Sequence, residues 1–338
     1  MKNNFPDYLT AFFTKHLTLH KGLSGNTVAS YSDTFILFFQ FCQVMCNIKQ
    51  ESIDFTTFNK KLVSDFCDWI ESGRGCSIST RNLRLTAIHS FCRYVQAESP
   101  AYSSVCRDII NIPMKKCIKK PPNHLLDVEI KMLLAEPDVH TKAGIRDLAI
   151  LALLYDSGTR VSELLNLNRG DMRITTKTTI RVIGKGNKMR LIPISPETGS
   201  IIKAYLKSNR IDMAQADDPM FYNRSGNRLS RPGITYILQK YAVRAREQNP
   251  GYLEIDITAH MVRHSKATHL LMSGVNLIYI RDFLGHSSVI TTERYAKTNP
   301  EFMRKAIEAC SKNNILGTDA YSDEQKNELT EFLKKYRL

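Results

Sequence analysis

Long apolar runs are missing from this chain of 338 residues. No window reaches the ~18 apolar residues that a membrane span needs. The N-terminal segment MKNNFPDYLTAFFTKH has no long apolar stretch ahead of a small-residue cleavage site, so it does not read as a secretory signal. Paired cysteines are missing too. The eight, Cys42, Cys46, Cys67, Cys76, Cys92, Cys106, Cys117 and Cys310, are scattered, with no CxxC and no histidines at zinc-finger spacing. Most fall among apolar neighbours, as Cys42 does in FFQFC, and read as reduced, buried thiols of a cytoplasmic protein. There is no internal repeat and no low-complexity tract. Acidic residues are in deficit: 33 Asp and Glu face 47 Lys and Arg, a formal charge of +14. A surplus of this size points to a polyanionic partner, nucleic acid before membrane. Residues 1–121 carry 15 basic against 9 acidic residues and the remainder 32 against 24, so both parts can touch one long anion.

What is present is enough apolar residue, 43%, to build real cores, and enough length for two domains. Residues 1–112 read as a helical bundle. Tyr8, Phe12 and Phe13 begin one amphipathic stripe, and Val28, Tyr31, Phe35, Leu37 and Phe38 continue in a second helix. A third spans roughly Phe58 to Ser72. Ser79–Thr80 is expected to cap a fourth, with Leu83, Ile88, Phe91, Tyr94 and Val95 apolar and Arg81 and Arg84 on the other face. The prolines and four lysines (Lys115, Lys116, Lys119, Lys120) of residues 113–122 then read as a basic interdomain linker. From 123 to 312 the pattern is mostly helical, with Asp127 expected to cap VEIKMLLAE and further helices near 196–207, 231–247, 258–273, 276–283 and 299–311. TIRVI and MRLIPI, joined by the tip Gly184–Lys188, form a small antiparallel sheet. The fold class is therefore mainly α, in two domains with a tail at 313–338.

Cations, imidazoles and one phenol recur in the second domain at spacings that suit phosphodiester chemistry without a metal. Arg160, at the start of a short helix, and Arg263 are suited to neutralise the non-bridging oxygens, because a guanidinium is planar, bidentate and always charged. Glu163, one turn after Arg160, is placed either to fix that guanidinium or to bond a nearby histidine. His260 and Arg263 are i,i+3 and share a helix face, while His264 and His269 read as structural. His286 sits at a helix-to-loop junction, where an imidazole bonds a phosphate oxygen or passes a proton. Tyr295 follows nine residues later. A phenol with a free pKa of ~10 attacks phosphorus only when cations or a base assist it. Lys185, at the hairpin tip, is the candidate proton donor to a leaving 5′-oxygen, with Lys188 its rival.

The segments LLYDSGTRVSELLNL, VIGKGNKMRLIPI, HMVRHSKATHLL and LGHSSVITTERY resemble the tyrosine recombinase (phage integrase) family, in particular its Xer-like and transposon-borne branch. LSGNTVASYSDTFILFFQFC and STRNLRLTAIHSFCRYV resemble the SAM-like core-binding domain of these enzymes, so the likeness covers nearly the whole chain. It implies catalytic roles for Arg160, Lys185, His260, Arg263, His286 and Tyr295, with Glu163 in support. It implies a 3′-phosphotyrosyl intermediate with no cofactor or metal, and a homotetramer exchanging strands of double-stranded DNA. Both domains would clasp the duplex, with Arg81, Arg84, the linker lysines and Lys188 as DNA contacts. Beyond a minimal member of the family, the tail carries Leu329, Phe332, Leu333 and Tyr336 in a stripe too narrow for its own core, with Ser322 or Asp323 as cap. Since relatives commonly exchange a C-terminal helix, this one is expected to dock on a neighbouring protomer. Other readings are a type IB topoisomerase-like enzyme and a non-catalytic DNA-binding factor. A His/Arg phosphatase fits poorly, for want of a glycine-rich phosphate loop around a cysteine.

Overall fold

A computed structural model describes residues 5–117, 123–175, 177–184, 186–211, 215–286, 288–289, 292–293, 304, 327–328, 330–331 and 334. Among them are twelve α-helices and one three-stranded antiparallel sheet, the mainly α class expected. No helix among them is long and apolar enough to cross a membrane. The chain divides into two compact units, Met1–Lys119 and Lys120–Leu338.

The first unit is all helix. α1 (Phe5–Ala11) runs on into a π-helical stretch, Phe12–His20, and is followed by α2 (Gly25–Cys46), α3 (Lys60–Asp68), α4 (Ile78–Glu98) and α5 (Ser103–Ile110). Asn59 opens α3 by accepting from the Leu62 amide at 3.1 Å. Ser77, two residues earlier than the expected Ser79–Thr80, caps α4 by accepting from Thr80 N at 3.2 Å, because it holds the last extended backbone before the helix. The core is aromatic. Phe91 of α4 meets the rings of Phe5, Phe12, Phe35 and Phe58 at centroid distances of 5.3 to 5.9 Å. Leu83, expected among the apolar residues, is 51% exposed, and Leu85 is buried in its stead, three residues before Ile88.

Two of the three arginines of α4, Arg81 and Arg84, are engaged by the protein itself. Arg81 is 5% exposed and donates to the Pro113 carbonyl at 3.1 Å. Arg84 donates to Ser30 O at 3.0 Å and Thr34 Oγ1 at 3.2 Å of α2. Arg81 thus ties α4 to the segment after α5, and Arg84 ties α4 to α2. The same ties hold the start of the expected linker. Asn82 brackets Lys115, and the Lys115 ammonium lies 2.7 Å from Glu71. Lys116 is exposed, whereas Lys119 and Lys120 lie outside the described residues.

The second unit opens with α6 (Asp127–Ala135). Leu126 occupies the cap position and its amide is taken by Glu129, so Asp127 is the first helical residue rather than the cap. The Asp127 carboxylate turns instead to His269, whose Nδ1 also lies 2.9 Å from the Tyr155 hydroxyl. His269 thus joins the start of α6 to the Tyr155 hydroxyl. α7 (Lys142–Ser157), α8 (Val161–Leu165), β1 (Met172–Arg173), β2 (Thr179–Ile183), β3 (Met189–Pro193), α9 (Pro196–Ser208), α10 (Arg231–Gln248), α11 (Ala259–Met272) and α12 (Leu277–Leu284) follow. The sheet order is β1-β2-β3, with Val182 opposite Arg190 and Ile183 opposite Met189. Inward residues Ile180, Val182 and Ile192 join α7 and α9 in one core with Leu153, Leu154 and Ile202. The hairpin closes through Gly184 N to Lys188 O at 2.9 Å, and Gly186 and Asn187 take the positive φ that so tight a tip requires. The expected helix at 299–311 and the tail stripe lie almost wholly outside the described residues.

Candidate active site

The site is built where α7 ends. Gly158 closes that helix in the left-handed conformation, φ +55°, and a Cβ there would stand only 3.0 Å from Leu284 Cδ2 and 3.1 Å from Phe283 Cε1. This close approach brings the end of α12 against the turn that delivers Arg160. Arg160 is the cap residue of α8, and its amide donates to Glu163 Oε2 at 2.9 Å. Its side chain reaches Glu163 Oε1 at 2.7 Å and the Gly285 carbonyl at 3.2 Å.

Glu163 is the hub. It is 5% exposed, yet it accepts from Arg160 and from both Nη atoms of Arg190, at 3.1 and 2.8 Å, and lies 3.9 Å from Arg263. Burial alone would push its carboxyl upward. The hydrogen bonds from Arg190 and Arg160 outweigh that and hold it below the usual range, so it stays ionised. Of the two functions open to Glu163, fixing the Arg160 guanidinium is the one its contacts show.

Arg263 of α11 is 2% exposed. It donates to the carbonyls of Gly158 and Leu284, both at 2.7 Å, and so joins the end of α7 to the end of α12. His260, one turn earlier, is exposed, with its ring 4.2 Å from that of His264. α12 stops at Gly285, φ +67°, and the turn presents His286. Thr292 is fully buried, and its hydroxyl lies 3.1 Å from His286 Nδ1. Burial, followed by the nearby charges of Arg263, Arg160 and Arg190, pushes the His286 imidazole down to about 4. Near neutral pH it is uncharged.

A cleft of about 480 Å³ opens on this cluster, lined by Arg160, Lys188, Met189, Arg190, Gly285 and His286 among others. It is cationic on the hairpin side and has an uncharged imidazole at the turn. An anion fits it, because Arg160, Lys188 and Arg190 outnumber Asp282, the carboxylate of the lining, which is paired with Arg281. The structure thus brings Arg160, Glu163, Arg263, His286 and Lys188 together. Lys185 and Tyr295 fall outside the described residues. Two participants escape sequence reasoning. Arg190 sits in an alternating strand of a basic chain and carries no local signal. Thr292 carried only its closeness to His286 in the chain.

Known proteins resemble this chain along most of its length. The phage integrase family matches residues 123–301, and the phage integrase N-terminal SAM-like domain matches residues 11–99. A putative integrase/recombinase, y4rC, of Sinorhizobium fredii is 35% identical over 88% of this chain and 89% of that protein. Tyrosine recombinase XerD of Chlorobaculum tepidum is 34% identical over 87% of this chain and 92% of its own. Tyrosine recombinase XerC of Thermodesulfovibrio yellowstonii is 31% identical over 92% and 97%. Among solved structures, the Tn1549 transposon integrase with transposon right-end DNA shares the fold at TM-score 0.66 and 16% identity, covering 88% of this chain and 98% of that one. XerH recombinase bound to difH does so at TM-score 0.65 and 21% identity, covering 83% and 79%. With helical units, arginine cluster and relatives all in agreement, the chain belongs to the phage integrase family, the tyrosine-type site-specific DNA recombinases.

Proposed function

We propose that this recombinase cuts DNA by attack of the Tyr295 phenolic oxygen on the scissile phosphorus, its proton passing to a neighbouring imidazole, with His260 at the rim the candidate base. The P–O bond to the 5′-oxygen breaks, a 3′-phosphotyrosyl bond forms, and the 5′-oxygen leaves with a proton from Lys185 or its neighbour Lys188. The exchange of one phosphodiester for another keeps the bond energy, so a 5′-hydroxyl from a second strand reverses the step on a new partner. Arg160 lies on the cleft wall. Arg263 acts from beside the turn that carries His286, and together the two guanidiniums neutralise the non-bridging oxygens. His286, uncharged before DNA binds, donates a hydrogen bond to the phosphate, whose negative charge then raises its proton affinity. His260 adds a second imidazole at the exposed rim. The observation that carries this reading is the single carboxylate of Glu163 gathering Arg160, Arg190 and Arg263 around one cleft.

Double-stranded DNA is the substrate in this reading, by analogy with the DNA-bound integrase and XerH structures. The basic surplus of both parts of the chain supports it. Four protomers assemble on paired sites, and the tail at 313–338 docks on a neighbour. The element served is a mobile or circular DNA. A nicked suicide substrate bearing candidate sites tests the chemistry. Wild type becomes covalently attached, and Tyr295→Phe does not. Attachment by Tyr295→Phe would place the nucleophile elsewhere.

A further inference from the structure

We propose that Arg190 is a positioning residue for strand cleavage: from β3 it locks the base of the lysine-bearing hairpin to the turn that presents His286. The proposal rests on the phosphotyrosyl reading above. The geometry is specific. Arg190 is the second residue of β3, and Lys185 and Lys188 lie five and two residues ahead of it in the same hairpin. Its Nε donates to the Phe283 carbonyl at 3.1 Å, while Nη1 and Nη2 take the two oxygens of Glu163. One planar fork therefore joins three elements: the β2–β3 hairpin, α8 and the end of α12. The fit at the turn is close. A Cβ at Gly285 would lie 2.7 Å from Arg190 Nη1 and 3.0 Å from its Cζ, so residue 285 has no room for a side chain while Arg190 holds its place. Arg190 also places a positive charge near His286. A lysine supplies that charge but not the fork, since one ammonium cannot serve both carboxylate oxygens and the carbonyl in the same plane.

The two roles separate in experiment. Arg190→Lys, Arg190→Gln and Arg190→Ala are compared with wild type for affinity to intact DNA, for single-turnover covalent attachment to a nicked suicide substrate, and for the pH dependence of that rate. Thermal melting confirms that each is folded. The expected result is attachment slowed roughly 10- to 100-fold in all three, the scale of a small misplacement of reacting groups. DNA affinity stays within about threefold, since a residue 14% exposed that is engaged by protein offers little to the duplex. The acid limb of the rate profile moves to higher pH in the Gln and Ala variants and stays near its wild-type position in the Lys variant. Guanidinium chloride, against sodium chloride at equal ionic strength, restores part of the rate of Arg190→Ala.

Attachment at the wild-type rate by the Gln or Ala variant overturns the proposal. So does a loss of DNA affinity matching the loss of rate, which makes Arg190 a DNA contact. If Gln and Ala do not fold, a wild-type rate in the Lys variant overturns it equally. Wild-type enzyme that never attaches to DNA refutes the phosphotyrosyl reading instead.

Discussion

At the scale of single residues, the site is a buried carboxylate under several cations. Removing Glu163 leaves Arg190 and Arg160 without their carboxylate, each keeping one carbonyl acceptor, and breaking a well-buried pair costs roughly 3–5 kcal/mol, less where a partner is solvated as Arg160 is. Glu163→Ala is therefore expected to lower the unfolding free energy by about 3 kcal/mol in a denaturant titration. His286 adds a pH dependence of known sign. Its pKa in the fold, about 4, lies below the ordinary imidazole value of 6.5. Between those two values the unfolded chain binds a proton that the native site refuses. Stability from this group is complete above pH 6.5 and declines as pH falls toward 4. In His286→Gln, the loss of stability between pH 6.5 and 4.5 is expected to be shallower than in wild type. An identical slope would mean that His286 is not the buried titrating group.

Legibility in the sequence also divides at this scale. Arg160, Glu163, Arg263 and His286 were readable because each occupies a short patterned segment. Arg190 was not, because a strand arginine looks like any other outward charge until the partner turn is seen. The burial of Arg81 was hidden for a related reason: helical spacing shows which face a side chain leaves from, not that the Pro113 carbonyl waits there.

At the scale of elements, two helix ends do the positioning. α7 and α12 both stop at a glycine in the left-handed region, and both end turns meet at Arg263. Gly158→Ala adds backbone strain of roughly 1–3 kcal/mol and pushes a methyl into Phe283 and Leu284. Its expected phenotype is a lower melting temperature together with slower covalent attachment, since Arg160 shifts with the turn. A melting temperature unchanged from wild type would show that the turn tolerates the side chain. Helix and strand positions were legible from periodicity, within a few residues. The starts were less so. Ser77 rather than Ser79–Thr80 caps α4, and Asp127 pairs with His269 instead of capping α6. Caps depend on which residue last holds extended backbone, and side-chain chemistry alone does not fix that.

At the scale of the whole molecule, each unit has its own core, and the second adds a smaller cluster around Leu271 and Leu284. The first depends on stacked and edge-on rings around Phe91, and Phe91→Ala is expected to cost about 3–5 kcal/mol, read as loss of the first unit's cooperative unfolding. Composition made the basic surplus and the helical class plain, but not assembly. The tail tests that. Deleting residues 319–338 is expected to weaken multimer formation on paired DNA sites in native gels while sparing cleavage at a single site. Unchanged assembly would remove the tail from the interface.

The central claim is that one phenolic oxygen becomes esterified to DNA. Trapped complexes from a suicide substrate, digested with protease and nuclease and read by tandem mass spectrometry, measure this directly. The account predicts a nucleotide adduct on the peptide containing Tyr295. An adduct on any other residue, or none under conditions where DNA is cut, would contradict it.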